Sequence, residues 1–440
     1  MSSRKRTAKA KDDGNGALVP SLRFPEFRGT DGWELQPMGE VYTFKGNNSL
    51  SRDKLNYVAG SVKNIHYGDI HTKFSSNFDI TKELVPFVNE SEETIARDEN
   101  LCAEGDMIFA DASEDLADIG KSVEIVNLNG ERVVSGLHTI LARRTGDRLA
   151  LRFGGHLFKS EWVRRQIQKE AQGSKVLGIS VNRMRNVRLP LPTKAEQQKI
   201  AECLSSVDEL IAAQARKVQA LKTHKKGLMQ QLFPREGETQ PRLRFPEFHN
   251  DGEWVLKTLG SVCTSFSGGT PSTSKPEFYG GDIPFIRSAE IARNRTELCL
   301  TRAGLTNSSA KMVSRGDVLV ALYGANSGDV ALARIDGAIN QAILCLRSSG
   351  SNAFIYHFLS FKKDWIVATY LQGGQGNLSG EIVKSIEIAF ASGTEQERIA
   401  SFLSSLDALI TAETQKLEAL KRHKRALMQQ LFPAPDSAQV

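Results

Sequence analysis

The amino-acid sequence predicts an α+β protein: two mixed α/β domains separated by two long helices that form an antiparallel coiled coil, the whole chain a pseudo-twofold internal repeat. Three observations carry this prediction. A 39-residue segment occurs twice, a shorter segment ahead of each half also occurs twice, and the middles between them are rich in strand-like runs and glycine turns.

The longer repeat sets EQQKIAECLSSVDELIAAQARKVQALKTHKKGLMQQLFP (Glu196 to Pro234) against EQERIASFLSSLDALITAETQKLEALKRHKRALMQQLFP (Glu395 to Pro433). About 24 of the 39 paired residues are identical at an offset of 199, which is the signature of duplication. Within it, Ile200, Leu204, Val207, Ile211, Val218, Leu221, Leu228 and Leu232 follow steps of four and three. The second copy supplies Ile399, Leu403, Leu406, Ile410, Leu417, Leu420, Leu427 and Leu431. Polar breaks fall at Gln214 and Lys225, and again at Glu413 and Lys424. Heptad spacing sustained over this length predicts a coiled-coil seam, ended by the proline of LFP. A lone amphipathic rod needs a partner, and the second rod is the expected one; separate packing of each rod on its neighbouring domain is the alternative.

The shorter repeat aligns LRFPEFRGTDGWEL (Leu22 to Leu35) with LRFPEFHNDGEWVL (Leu243 to Leu256), and its offset is 221. Trp33, Gly39 and Val41 match Trp254, Gly260 and Val262 in that register. The middles therefore differ in length and content between similar ends. Each contains a Gly-Asp pair before an apolar run, GDMIFADAS at Gly105 and GDVLVALYGANSGD at Gly316, which reads as a turn feeding a strand. Each also has a late helix-like stretch, His156 to Ala171 and Phe354 to Leu371, followed by a glycine-rich loop in which Ser180 aligns with Ser379. The resulting division is a basic tail expected to be disordered (1–20), a first domain (21–195), a first helix (196–234), a linker (235–242), a second domain (243–394), a second helix (395–433) and a tail (434–440).

Composition narrows the function. The chain has 440 residues, 40% of them hydrophobic and 25% charged, with a net charge of +6. This suits a globular protein and is compatible with a polyanionic partner. No run reaches the ~20 apolar residues of a membrane helix, and the N-terminus lacks the apolar core of a signal peptide. The five cysteines are scattered, which points to a reducing compartment, and neither they nor the histidines have metal-site spacing. His66 and His71 lack a third ligand nearby in sequence. The chain contains no GxxxxGK[ST], HExxH or GxSxG, and no Pro-Pro pair such as methyl transfer to a base amino group would call for. The acids Asp111, Glu114 and Asp115 read better as solvated or capping groups than as catalysts. On residues alone the middles are binding modules.

The starts LRFPEF…W…LG, the helices EQxxIA…LSS…LMQQLFP, the segment FSGGTPSTSKPEFYGGDIPFIRSAEI (Phe266 to Ile291) and its counterpart KNIHYGDIHTKF (Lys63 to Phe74) together resemble the specificity (S) subunit of Type I restriction-modification systems. The resemblance covers nearly the whole chain after residue 20. It implies two target-recognition domains, each reading one half of a bipartite site on double-stranded DNA. It implies that the paired helices space the readers and dock two modification (methyltransferase) subunits, with restriction (helicase-nuclease) subunits joining them. The chain itself is then non-catalytic, cytoplasmic and without cofactor or metal; S-adenosylmethionine, ATP and Mg belong to the partner subunits.

Reading bases calls for side chains that donate or accept at base edges, and holding phosphates calls for cations. In the first domain the loop candidates are Lys45, Asn47, Asn48, Lys63, Asn64, His66, Tyr67, Ser113, Lys175 and Ser180. In the second they are Thr270, Ser272, Lys275, Tyr279, Arg287, Ser288, Tyr323, Asn326, Ser327, Gln375 and Asn377. Each has the alternative of a solvated or turn-forming residue, and Tyr67 and Tyr323 of core aromatics. Two other functional readings stand beside the leading one: a free-standing DNA-modifying enzyme with an unrecognised active site, and a coiled-coil scaffold without DNA affinity.

Overall fold

The structure is a computed structural model that describes residues 18–89, 98–370 and 377–434. The candidate Gln375, most of the basic N-terminal segment and nearly all of the C-terminal tail lie outside the described residues. The chain divides into two compact units, residues 1–213 with 417–440 and residues 214–416. The division passes through both long helices, Lys194–Leu232 and Gly393–Leu431.

In the first unit a five-stranded sheet runs in the order Tyr42–Lys45, Thr139–Arg144, Met107–Ala110, Ser122–Asn127, Asn77–Asp79. Beside it a four-stranded sheet is ordered Val133–Ser135, Lys63–Ile65, Phe87–Val88, Leu55–Asn56. Both mix parallel and antiparallel pairs. The second unit repeats the plan. One of its sheets is ordered Cys263–Ser267, Ile343–Ser348, Val318–Ala321, Val330–Leu332. The other is ordered Leu298–Leu300, Tyr279–Ile286, Gly337–Ile339, Lys311–Val313.

The central strands Met107–Ala110 and Val318–Ala321 are buried at every position, so their apolar runs are continuous rather than alternating. The Gly-Asp pair ahead of each has a defined task. Gly105 and Gly316 take φ of +86° and +93°, a left-handed turn that glycine enters at little cost. The following carboxylates, Asp106 and Asp317, accept from the backbone N–H of Ala103 and Ser314, each at 2.8 Å. Each also grips an arginine of the neighbouring strand: Arg143 Nη2 lies 2.8 Å from Asp106, and Arg347 Nη2 lies 2.8 Å from Asp317. Two turns are thereby bolted to two sheets in the same way.

The repeated end segments close each unit. In the first, Arg23 donates through Nε and Nη2 to both oxygens of Glu196, at 2.8 and 2.7 Å, and to the carbonyls of Thr30 and Asp31. Leu22 N–H donates to the carbonyl of Gln430 at 2.9 Å. Phe432 is buried against Trp33 and Phe153, with ring centroids 5.8 Å from each. In the second unit Arg244 holds Glu395 at 2.8 Å, Leu243 N–H donates to Gln231 at 3.0 Å, and Phe233 is buried against Phe354 at 5.4 Å. LMQQLFP is thus more than a helix end. The second copy completes the core of the first unit, with Leu427, Met428, Leu431 and Phe432 beside Ile200 and Leu204. The first copy completes the second unit, with Leu228, Met229, Leu232 and Phe233 beside Ile399 and Leu403. The two copies differ in one detail: Trp254 Nε1 donates to Glu395 at 2.9 Å, whereas Trp33 Nε1 is buried without a partner.

Within each unit the long-helix segments run antiparallel. In the first unit Lys424 Nζ pairs with Asp208 at 2.5 Å, while Ile200 and Leu204 share a core with Leu431. In the second, Lys225 Nζ pairs with Asp407 at 2.5 Å, and Gln214 Nε2 donates to the carboxylate of Glu413 at 2.6 Å. The polar breaks of the heptad pattern therefore meet polar partners. In the first unit Ile200, Leu204, Leu417 and Leu431 are buried, and Val207, Ile211, Leu420 and Leu427 are half-buried. In the second Val218, Leu232, Ile399 and Leu403 are buried, and Leu221, Leu228, Leu406 and Ile410 are half-buried.

The late helical stretches differ between units. The second unit has one helix, Asn352–Tyr370. The first has two, Phe153–Leu157 and Glu161–Glu170, because Ser160 takes an extended backbone and its side chain accepts from Val163 N–H as an N-cap. Both stretches carry a fully buried histidine, His156 and His357, facing the serines Ser205 and Ser404 of the long helices at 3.5 and 3.1 Å.

Burial, helped by the nearby Lys225 charge, lowers the pKa of His357 to about 4, against about 6.5 for an unfolded histidine. Between those values the unfolded chain binds a proton that the folded chain does not, so stability falls as pH falls from about 6.5 to about 4. The expected loss is on the order of 3 kcal/mol. Hydrogen exchange of the strand Val318–Ala321 across this range should show it, and His357→Gln should flatten the dependence. In the first unit Glu196→Gln leaves Arg23 buried beside a neutral partner, and a loss of about 3–5 kcal/mol is expected in denaturant titration.

Candidate nucleic-acid interface

The first-unit candidates separate into two groups. Asn48 and Asn64 are buried. Asn48 Nδ2 donates to Asn64 Oδ1 at 2.8 Å and to the carbonyl of Ser135 at 2.9 Å, and Asn47 Nδ2 donates to the carbonyl of Thr139 at 2.7 Å. These amides are committed to the loop after Val133–Ser135. Lys63 is likewise engaged, paired with Glu131 at 2.5 Å and lying over the Phe87 ring. His66 is buried; its Nδ1 accepts from Gly68 N–H, and burial together with the Arg52 charge lowers its pKa to about 4. Lys45, Lys175 and Ser180 are exposed, and Tyr67 and Ser113 are half-buried.

The fold brings several of these together. Strand Leu177–Gly178 pairs with Ala112–Ser113, which draws the loop carrying Lys175 and Ser180 to the end of the central strand. The Tyr67 ring lies 4.6 Å from His66, 5.3 Å from His138 and 6.0 Å from His71. His138 Nδ1 lies 3.3 Å from Asp111 Oδ1, and burial raises the pKa of that carboxyl above the ordinary carboxylate value. His138, His71 and Asp111 were not among the sequence candidates. In the sequence Asp111 reads as an acid in a loop and His71 as a histidine without a third metal ligand nearby, and nothing in the one-dimensional pattern places His138 beside them.

In the second unit Thr270, Ser272, Lys275, Tyr323 and Asn377 are exposed, while Tyr279, Arg287, Ser288, Asn326 and Ser327 are half-buried. Several are occupied. Tyr279 donates its hydroxyl to the carbonyl of Pro271 at 2.6 Å, and Ser327 donates to that of Leu322 at 2.8 Å. Arg287 pairs with Glu290 at 2.9 Å and Glu297 at 2.5 Å, and these hydrogen bonds raise its pKa further. A chain of bonds gathers the rest. Thr270 Oγ1 donates to Gln341 Oε1, Leu322 N–H to the carbonyl of Ala342, and Leu378 N–H to that of Leu322. Thr270, Gln341, Tyr323 and Asn377 thereby share one end of the sheet. Gln341 is a further residue the sequence did not single out. Gly268 and Gly269 allow this closeness: a Cβ on Gly268 would stand 1.8 Å from the carbonyl oxygen of Ile339.

The two faces are built on matching bonds. Ile179 N–H donates to the carbonyl of Asp111 at 2.9 Å, as Leu378 N–H does to that of Leu322 at 2.8 Å. The next residue on the strand side is Ala112 in one unit and the exposed Tyr323 in the other. His66 and Tyr67 stand where the second unit has Arg287 and Ser288. Among the described residues no group of three or more His, Cys, Asp or Glu is placed to hold a metal ion, and no helix is long and apolar enough to cross a membrane.

Known proteins share this architecture. Residues 30–223 and 251–422 each match the model of the Type I restriction modification DNA specificity domain. A chain of Methanocaldococcus jannaschii, provisionally described as the type I restriction enzyme MjaX specificity subunit, is 26% identical over 418 residues, covering 91% of this chain and 92% of its own length. The Escherichia coli type I restriction enzyme EcoR124I/EcoR124II specificity subunit is 26% identical over 178 residues, 38% of this chain and 44% of that one. Among solved structures, the S subunit of a Type-I restriction-modification system from M. genitalium superposes with a TM-score of 0.60 at 15% identity, covering 95% of this chain and all of that one. A chain from a study of assembly and conformational transition of the type I R-M system gives 0.54 at 19% identity, covering 94% of this chain and all of that one. The class is therefore that of sequence-specificity proteins built as an internal duplication. This chain belongs to the Type I restriction modification DNA specificity family, whose members are the non-catalytic specificity subunits of these systems.

The division between engaged and free candidates is testable. Asn48→Ala removes the buried amide that donates to Asn64 Oδ1 and accepts from the Leu50 N–H, so a loss of about 1–3 kcal/mol in denaturant titration is expected. Lys175→Ala should stay within about 0.5 kcal/mol of the parent.

Proposed function

We propose that the chain is the DNA sequence-recognition subunit of a Type I restriction-modification complex, each unit reading one half of a bipartite target. The carrying observation is that two loop platforms held by the same backbone hydrogen bonds present different side chains, Tyr323 against Ala112 and Arg287 with Ser288 against His66 with Tyr67. Equivalent frames with unlike reading edges are what two different half-sites require. The exposed cations Lys45, Lys175 and Lys275 suit phosphates, and Thr270, Tyr323 and Asn377 suit base edges or the sugar-phosphate backbone.

The long helices set the gap between half-sites and dock two modification subunits, which supply methyl transfer with S-adenosylmethionine. Restriction subunits using ATP and Mg complete the assembly, in the cytoplasm. The lack of a recognisable catalytic motif in the sequence supports this division of labour over a free-standing enzyme.

Selection from random duplexes by the chain with its modification partner should enrich two defined blocks separated by a fixed gap. Enrichment of one contiguous block, or of none, contradicts the reading. Inserting one heptad in both helices adds about 10 Å of helix, so the gap should change by about three base pairs while both blocks keep their letters. Lys45→Ala should weaken binding evenly across sequences and reduce the salt slope by about one.

A further inference from the structure

His138 adopts φ of +54° although it is not a glycine, a conformation that persists only where the surroundings enforce it and that concentrates at functional sites. The surroundings are explicit. Gly136 N–H donates to the carbonyl of Ile65 at 2.9 Å, Asn48 holds the carbonyl of Ser135, and Asn47 holds that of Thr139. The His138 carbonyl itself accepts from Asp111 N–H at 3.1 Å. The loop is clamped on both sides, yet the His138 side chain is 52% exposed. Its ring is fixed edge-on to Tyr67 at 5.3 Å, and its Nδ1 by Asp111 Oδ1 at 3.3 Å.

The scaffold itself does not demand a histidine. The corresponding bond in the second unit, from Leu322 N–H at 2.8 Å, ends on Ala342, which takes no positive φ. A side chain that is exposed, immobilised and unnecessary to the frame is suited to contact something outside it.

Resting on the function proposed above, we propose that His138 contacts a base and fixes one letter of the half-site read by the first unit. Asp111, Asn47 and Asn48 are its positioning residues. With Nδ1 turned to the Asp111 carboxylate at 3.3 Å, Nε2 is the ring nitrogen left to face a base, and the tautomer with its proton on Nδ1 makes Nε2 an acceptor. Its complement in the major groove is an exocyclic amino group, N6 of adenine or N4 of cytosine. The buried asparagines thus serve recognition through the loop they build.

The test uses the full chain in complex with its modification subunits and a random-duplex pool. His138→Gly removes the side chain while permitting the positive φ, and an unchanged melting temperature checks the fold. Discrimination at one position of one half-site should fall at least tenfold, with every other letter kept. Asp111→Ala should relax that same position, an effect that a purely structural role would not confine to one letter. If the parent gives a two-part motif and His138→Gly leaves all letters unchanged, or lowers affinity evenly over both half-sites, the assignment of His138 is overturned and the reading of the chain stands. If the parent gives no two-part motif, both are overturned.

Discussion

The Phe432 ring, buried between Trp33 and Phe153, and the Phe233 ring, buried against Phe354, are the contacts on which each unit depends. Each ring belongs to the LMQQLFP segment that ends a long helix, Phe432 after Gly393–Leu431 and Phe233 after Lys194–Leu232. A truncated aromatic in such a place costs about 3–5 kcal/mol, a large part of a domain's usual stability. The buried Arg23–Glu196 pair and the half-buried Arg244 on buried Glu395 fasten the opposite ends of the same closure. The first unit is not a continuous stretch of sequence, and each core is completed by the LMQQLFP copy carried on the other half's long helix.

This constraint explains what is repeated and what is free to differ. The segments that are nearly identical are those that meet in the closures: the arginine of LRFPEF, the first glutamate of the long helix, and LMQQLFP. The loop platforms lie elsewhere, at the ends of the strands Met107–Ala110 and Val318–Ala321. There only backbone bonds recur, and side chains can change without disturbing the core. Division of the chain into an invariable frame and exchangeable reading edges suits a specificity subunit.

The duplication, the long helices and the family were legible because repetition and heptad spacing are written along the chain. Which of the loop residues are free was not. Asn48 and Asn64 have the amides that base reading requires, and only the three-dimensional path shows those amides turned inward toward Ser135 and each other. His138 escaped notice for the converse reason: its neighbours Tyr67 and Asp111 are distant in sequence, and a left-handed backbone at histidine leaves no composition signal. The heptad pattern likewise says that a helix has a seam, and is silent on which core receives its final turn.

The exchange of LMQQLFP segments is the claim on which the rest stands. Hydrogen exchange on a chain ending at Arg425, which lacks the second copy, examines it directly. Protection should collapse in Met107–Ala110 and Thr139–Arg144 of the first unit while Val318–Ala321 of the second keeps its own. Full protection throughout the first unit, or loss confined to the second, would contradict it.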